Sequence, residues 1–172
     1  VCIDSGGHHT NQVYQFTKPR QSRRVFSIKG INQLGKPIAN KPSFVGKNKA
    51  VLYPVGTDTA KEAIFARLST DVENSTLHFP ADVDEEYFKQ LTAEKRITKF
   101  VRGRKSLVWK QIRPRNEALD TMVYNFAAIY ILNPNFDVID QKIMTNAENM
   151  TKTGQKSKKK RRNTKNFATS WK

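Results

Sequence analysis

Apolar positions fall in short blocks of two different periods along the chain. VCID (1–4) reads as a short buried strand, and RRVFSIKG (23–30) alternates well enough for another, with Val25, Phe26 and Ile28 as its apolar members. AVLYPVG (50–56) is a further apolar strand, with Pro54 marking its end or an edge position because proline has no N–H for a ladder. KSLVWKQI (105–112) is a fourth candidate, broken by Pro114. Between these blocks the helical period takes over. Asn11 to Lys18 suits a short helix stopped by Pro19. TDTAKEAIFARL (57–68) places Ala60, Ile64 and Leu68 on one face, and Thr59 with Glu62 forms a capping-box pattern. DEEYFKQLTAEKRI (84–97) predicts one helix or two short ones. NEALDTMVYNFAAIYIL (116–132) is the strongest helix: Leu119, Met122, Val123, Phe126, Ile129 and Tyr130 keep the 3.6 period, Asn116 can cap it, and Pro134 follows its end. Residues 31–49 and 70–81 read as loops, and 133–150 fit neither period. Strands alternating with helices predict an α/β domain.

Composition narrows the classes. The chain has 172 residues, 37% apolar and 27% charged, enough for one domain with a modest core and a tail. No apolar run approaches the ~18 residues of a membrane span, and no signal peptide stands at the start, so no membrane role is expected. A lone cysteine, Cys2, forms no internal disulfide and suits a reducing compartment. The first residue is Val, which fits a processed start or a piece of a longer chain. The net charge of +16 is unevenly spread: residues 152–172 contain no Asp or Glu, and Lys158, Lys159, Lys160, Arg161 and Arg162 form an unbroken run there. The expected organisation is a folded region over 1–150 and a disordered basic tail over 151–172. Segregated positive charge predicts a polyanionic partner, nucleic acid above all.

Several stretches carry candidate chemistry. A strand ending at Asp4 aims its carboxylate beyond the sheet edge, and Gly6 and Gly7 leave the space around it open. An aspartate before glycines is equally ordinary turn chemistry. GINQLGKP (30–37) is one residue short of a phosphate loop, since Pro37 stands where Ser or Thr would bind magnesium. No ATP site is therefore expected, and Lys36 sits in a loop that either touches a DNA backbone or is plain surface. His8, His9 and His78 lack ligand spacing, so no zinc site is expected. Glu117 and Asp120 stand three apart and share a helix face offset from the apolar stripe. Acids in a first turn complement the helix dipole, but Arg113 and Arg115 just before them oppose it. Carboxylates beside arginines suit metal-dependent phosphodiester cleavage, the acids holding divalent ions and the arginines holding phosphate. Asp58, directly after an apolar strand, is a third acid and equally a helix-start residue. Asp82, Asp84, Glu85 and Glu86 read as a solvated helix start.

In order along the chain, IDSGG (3–7) with VY (13–14), RVFSIKG (24–30), GKP (35–37), GTDTAKE (56–62), HFP (78–80), QLTAE (90–94), GRKSLVW (103–109), and RNEALD (115–120) with VY (123–124) and AA (127–128) form a set. This set resembles the C-terminal endonuclease region of the large terminase subunit of lambda-like tailed phages. The matching stretches run over residues 1–132, and the closing FATSWK suits the end of such a protein.

The resemblance implies an RNase H-like nuclease fold, a small mixed sheet flanked by helices. It implies a two-metal site for Mg²⁺ or Mn²⁺ and in-line attack of water on DNA. In a terminase of a phage or prophage, that cut matures concatemeric DNA, which an ATPase motor drives through the portal. On this resemblance Asp4, Glu117 and Asp120 are catalytic acids and metal ligands, and Asp58 is a further metal candidate. Lys36, Lys61, Arg113, Arg115 and the basic run 158–162 are candidate phosphate contacts. Double-stranded DNA, the small terminase subunit and the portal or procapsid are the implied partners, in the host cytoplasm. In family order, a strand with another catalytic aspartate and the ATPase domain precede the IDSGG element, and both lie outside this sequence. The expectations are a partial RNase H-like domain, a first strand unpaired on one side, a sheet built mainly from residues 1–4, 24–29 and 50–55, and weak or absent cleavage by the chain alone. The alternative is a non-catalytic nucleic-acid-binding protein working through basic loops and tail. An adaptor docking through tail residues such as Phe167 and Trp171 is a third reading.

Overall fold

Three parallel strands end at one edge of a small sheet. In the computed structural model, which describes residues 1–47, 49–70, 77–101 and 103–157, these are β1 (Cys2–Asp4), β2 (Phe26–Ile31) and β4 (Ala50–Gly56), joined by the antiparallel β3 (Ser43–Val45). The spatial order is β1-β2-β4-β3, with Asp4 beside Ile28 and Ile28 beside Tyr53. Parallel neighbours require a crossover. α1 (Thr10–Thr17) and a 3-10 helix (Lys18–Arg23) supply it between β1 and β2. Asp4, Ile31 and Gly56 therefore share the carboxyl edge of the sheet, and α2 (Thr57–Leu68) leaves directly from it. Then follow α3 (Glu85–Leu91), a separate two-stranded ribbon of β5 (Glu94–Val101) and β6 (Arg104–Gln111), and α4 (Glu117–Leu132). These elements make one unit, Val1–Leu132, and Asn133 begins a second. The second unit contains one described helix, α5 (Phe136–Ser157), exposed along Phe136, Ile143 and Met144.

The core joins one face of the sheet to three helices. Ile28 and Val55 from the sheet, Ile64 from α2, Leu91 from α3, and Leu119 and Val123 from α4 are at most 1% exposed. Burying each such side chain contributes about 1.5–3 kcal/mol. Ser27 and Leu52, one register pair, are buried on the other face, where α1 packs against β2 and β4. The α/β class and the small mixed sheet match the sequence expectation, as do the strands near 1–4, 24–29 and 50–55. β1 pairs with β2 alone among the described strands, so its other side is an edge. Val1 is 77% exposed there, and a 360 Å³ groove between Cys2, Phe26, Tyr53, Ala128 and Leu132 runs beside it.

Pro54 does not end its strand. It lies inside β4, opposite Lys29 of β2. Its carbonyl accepts from the Asn40 backbone at 3.0 Å and side chain at 3.1 Å, so its ring faces the 37–40 segment, beyond the last β3 pair. The missing N–H falls on that side and leaves the β2 ladder whole. Three further local expectations change. The 31–49 loop contains β3, three residues folded back through Gly46 at φ 69°. The stretch 94–97 is strand rather than helix, because β5 pairs along its full length with β6 and that pairing overrides the helical bias of Glu and Lys. Thr59 is no N-cap: Gly56 occupies that position, and the Thr59 hydroxyl donates to the Lys36 carbonyl at 2.6 Å. The acidic start of α3 is as expected, with the Asp84 carboxylate accepting the Tyr87 N–H at 2.8 Å. Helix α5 runs from the aperiodic stretch to Ser157. Lys158, Lys159, Lys160, Arg161 and Arg162 lie outside the described residues, as do Phe167 and Trp171.

Candidate functional site

Asp4 is held from two sides at the end of β1. Its neighbour Ser5 is buried and tied to Ile28 of β2, the backbone N–H at 2.9 Å and the hydroxyl at 2.8 Å both donating to the Ile28 carbonyl. The Asp4 Oδ1 accepts the Gly6 N–H at 2.9 Å, an Asx turn that leaves the carboxylate exposed at the sheet edge. Gly6 suits this turn, because a Cβ there would stand 3.2 Å from the same oxygen. The Tyr124 phenol of α4 lies near enough to Asp4 to feel its carboxylate. The turn reading of Asp4 thus holds, and the turn leaves its carboxylate exposed.

Asp120 and Tyr124 are one helical turn apart and share a face of α4. Burial is the main cause that raises the Asp120 pKa; Lys61 opposes it, and the charges of Glu94, Asp4 and Glu117 add to it. The Tyr124 phenol is pushed far above its ordinary value by burial first, then by the charges of Asp4 and Asp120. Residues over a hundred positions apart in sequence therefore act on one another. Glu117 is the outer member: its carboxylate is exposed and accepts from Arg115 Nε at 3.3 Å.

Behind them lies an ion pair. Lys61 of α2 places its ammonium 2.7 and 2.9 Å from the two oxygens of Glu94, the first residue of β5. Asn116, just before α4, donates its side-chain N–H to Glu94 at 3.0 Å. Both charges are buried, so each relies on the other. Asp58 stands one turn before Lys61. Its pKa is raised by burial, lowered by Lys61 and raised by Glu62 and Glu94. Asp58 is thus coupled to the ion pair, whereas Asp120 feels both the ion pair and Asp4.

The expected phosphate contacts have other roles in part. Lys61 is 8% exposed and neutralises Glu94, so it is not available to a DNA backbone. Arg113 donates to the Thr92 carbonyl at 2.9 Å, the Thr92 hydroxyl at 3.0 Å and the Lys89 carbonyl at 3.2 Å. It closes the end of α3, where a cation complements the helix dipole. Arg115 is exposed but engaged with Glu117. Lys36 stays half-buried, in a loop fixed across the start of α2 by its own carbonyl. Glu94, Asn116 and Tyr124 were missed by sequence reasoning. Glu94 looked like one more helical surface charge, and only a strand at 94–101 turns it inward. Tyr124 had a readable signal, lying four residues after Asp120.

The donors gathered here are carboxylate oxygens, the set suited to Mg²⁺ or Mn²⁺. Asp58, Glu94 and Asp120 all feel the buried ammonium of Lys61, and Asp120 also feels Asp4 and Glu117, so negative charge is concentrated here. A divalent cation beside Asp4 and Asp120 would relieve it. Among the described residues, no three His, Cys, Asp or Glu side chains converge into a ready metal cage. No helix among them is long and apolar enough to cross a membrane.

Two curated relatives are similar to this chain. The terminase large subunit of Escherichia phage lambda is 40% identical over 139 residues, and that of Enterobacteria phage P21 is 37% identical over 140 residues. Each alignment takes in 76% of this chain and 22% of the relative. The chain thus spans about a fifth of the length of the curated relatives it matches. No solved structure matches it significantly. A family model described as "Terminase large subunit gpA, endonuclease domain" matches residues 1–165. A match over nearly the whole chain, together with these relatives, shows that it belongs to the terminase large subunit gpA endonuclease-domain family.

Proposed function

We propose that this chain is the DNA-cutting region of a phage terminase large subunit, a metal-dependent endonuclease of RNase H-like type that acts on concatemeric viral DNA during packaging. The observation that carries the reading is the packing of α4 against β1, which brings Asp120 and Tyr124 within electrostatic reach of Asp4 at the strand end. Asp4 and Asp120 would hold a divalent cation, with Glu117 able to join if Arg115 turns to phosphate. When bound, such a cation activates water and stabilises the leaving oxygen.

The chain's own groups do the rest. Tyr124 and the Gly6 N–H fix the direction of Asp4. Burial leaves Asp120 short of hydration, which favours a cation beside it. Lys61 balances the charge of Glu94, which keeps that acid from drawing the metal away from Asp4. Arg115 and Lys36 lie on the solvent side and are suited to backbone phosphates. The small terminase subunit and the portal or procapsid are the assembly partners this reading implies.

A graft tests it. This chain replaces the matching segment of the lambda large subunit, and cutting of concatemeric DNA is measured with Mg²⁺. Cutting that is lost in both Asp4→Asn and Asp120→Asn supports the reading. Cutting that survives both substitutions removes it. The alternative, a non-catalytic nucleic-acid-binding protein, draws on the lack of three converging donors among the described residues. It expects DNA affinity without any dependence on Asp4.

A further inference from the structure

The β5–β6 ribbon carries a charge pattern that folding by itself disfavours. Lys95 stands directly opposite Lys110 in the register. Like charges at directly opposed positions destabilise a sheet. Lys99 follows on the same face, and Arg104, paired with Val101, continues the row towards the Gly103 turn. All four cations are exposed. From Lys95 to Gln111 the sequence contains no Asp or Glu to balance them.

The opposite face is the one that anchors the ribbon. There Arg96 meets Glu62 at 3.0 Å, Trp109 packs on Phe65 with ring centroids 4.9 Å apart, and Glu94 enters the buried pair with Lys61. Alternation along each strand therefore turns the cationic row away from the domain. The ribbon is two strands wide. A two-stranded ribbon fits the B-DNA major groove, which is about 12 Å wide. Its root, Glu94, is already part of the acidic site.

We infer that β5–β6 is a duplex-holding arm. Lys95, Lys99, Arg104 and Lys110 grip backbone phosphates and seat the double helix with one strand towards Asp4 and Asp120. The inference rests on the nuclease reading for the identity of the polyanion. Contacts of this kind position the duplex and carry no sequence preference. The row is separate in sequence from the basic run at 158–162, and it lies within the unit Val1–Leu132.

Fluorescence anisotropy of a labelled duplex of arbitrary sequence, with the full 172-residue chain, tests it. In Lys110→Glu the new acid faces Lys95, so the ribbon gains an opposite-charge pair. The expected result is an equal or higher melting temperature together with several-fold weaker duplex binding. Opposite signs in the two readouts exclude a folding defect. Replacing all four cations by Gln lowers the slope of log K against log salt by roughly 3–4, at about 0.9 per lost phosphate contact. Gln at 158–162 leaves the ribbon's share of the slope in place. A higher melting temperature with unchanged affinity and slope overturns the arm and leaves the nuclease reading standing. Equal losses on a single strand of the same length overturn the duplex assignment. A wild-type chain with no salt-dependent affinity for the duplex overturns both readings.

Discussion

The ammonium of Lys61 lies 2.7 and 2.9 Å from the two carboxylate oxygens of Glu94, and the two side chains are only 10% and 8% exposed. This pair ties the start of α2 to the start of β5 beneath the acidic edge of the sheet. It also sets the local field, since Lys61 is the charge that opposes the rise of both Asp58 and Asp120. Removing one partner leaves the other charged and buried. Lys61→Met and Glu94→Leu should each cost about 3–5 kcal/mol, whereas the double substitution should recover most of that loss. Urea unfolding checks both. Single variants as stable as wild type would show that the pair is hydrated.

Asp120 should make stability depend on pH with an unusual sign. Its folded pKa is raised above the ordinary 3.8, so the folded chain binds more protons than the unfolded one between those two values. Stability contributed by this group is therefore present below the ordinary value and falls as pH rises through the raised one. Asp120→Asn should melt higher than wild type near neutral pH, with the difference vanishing in acid. Thermal melts across the carboxylate range measure it, and a constant difference would point to a cause other than titration.

Gly56 is a contact point between backbones. Its N–H donates to the Pro37 and Ile38 carbonyls at 3.1 and 3.2 Å, and an added Cβ would run into the carbonyl oxygens of Lys36 and Pro37. Gly56→Ala should cost on the order of 1–3 kcal/mol by overpacking. It should also displace the loop carrying Lys36 from α2. Chemical denaturation gives the cost, and amide exchange at Thr57 to Ala60 reports the displacement.

Tyr124→Phe removes one hydroxyl and keeps the ring. The loss of its polar contact with Asp4 should change stability by about 1 kcal/mol or less, Asp4 being exposed. Cutting by the grafted terminase should fall much more than stability, because Asp4 loses its orientation. A parallel loss of both would mean that the ring packing carries the effect.

Much of this fold is legible in the chain's pattern, and the reason differs by element. The buried strands at 50–56 and 26–31, and the helix at 116–132, declare themselves through apolar periodicity, because their burial is two-sided or striped. Asp4 and Asp120 stand out because each sits near an element end, off the apolar stripe. β3 and β5 do not declare themselves. Three residues cannot show a period, and Glu94–Val101 is written in residues that also suit a helix. That ambiguity concealed Glu94, and with it the true place of Lys61. A lysine in a GTDTAKE helix looks like surface until its acid partner, 33 residues later, is brought beneath it.

Manganese binding followed by calorimetry tests the central claim most directly, that Asp4 and Asp120 form one cation site. Near neutral pH the wild-type chain should show saturable heat with Mn²⁺. Asp4→Asn and Asp120→Asn should each abolish it, while melting no lower than wild type. Undiminished Mn²⁺ binding in either variant would contradict a shared site, whatever its nuclease activity.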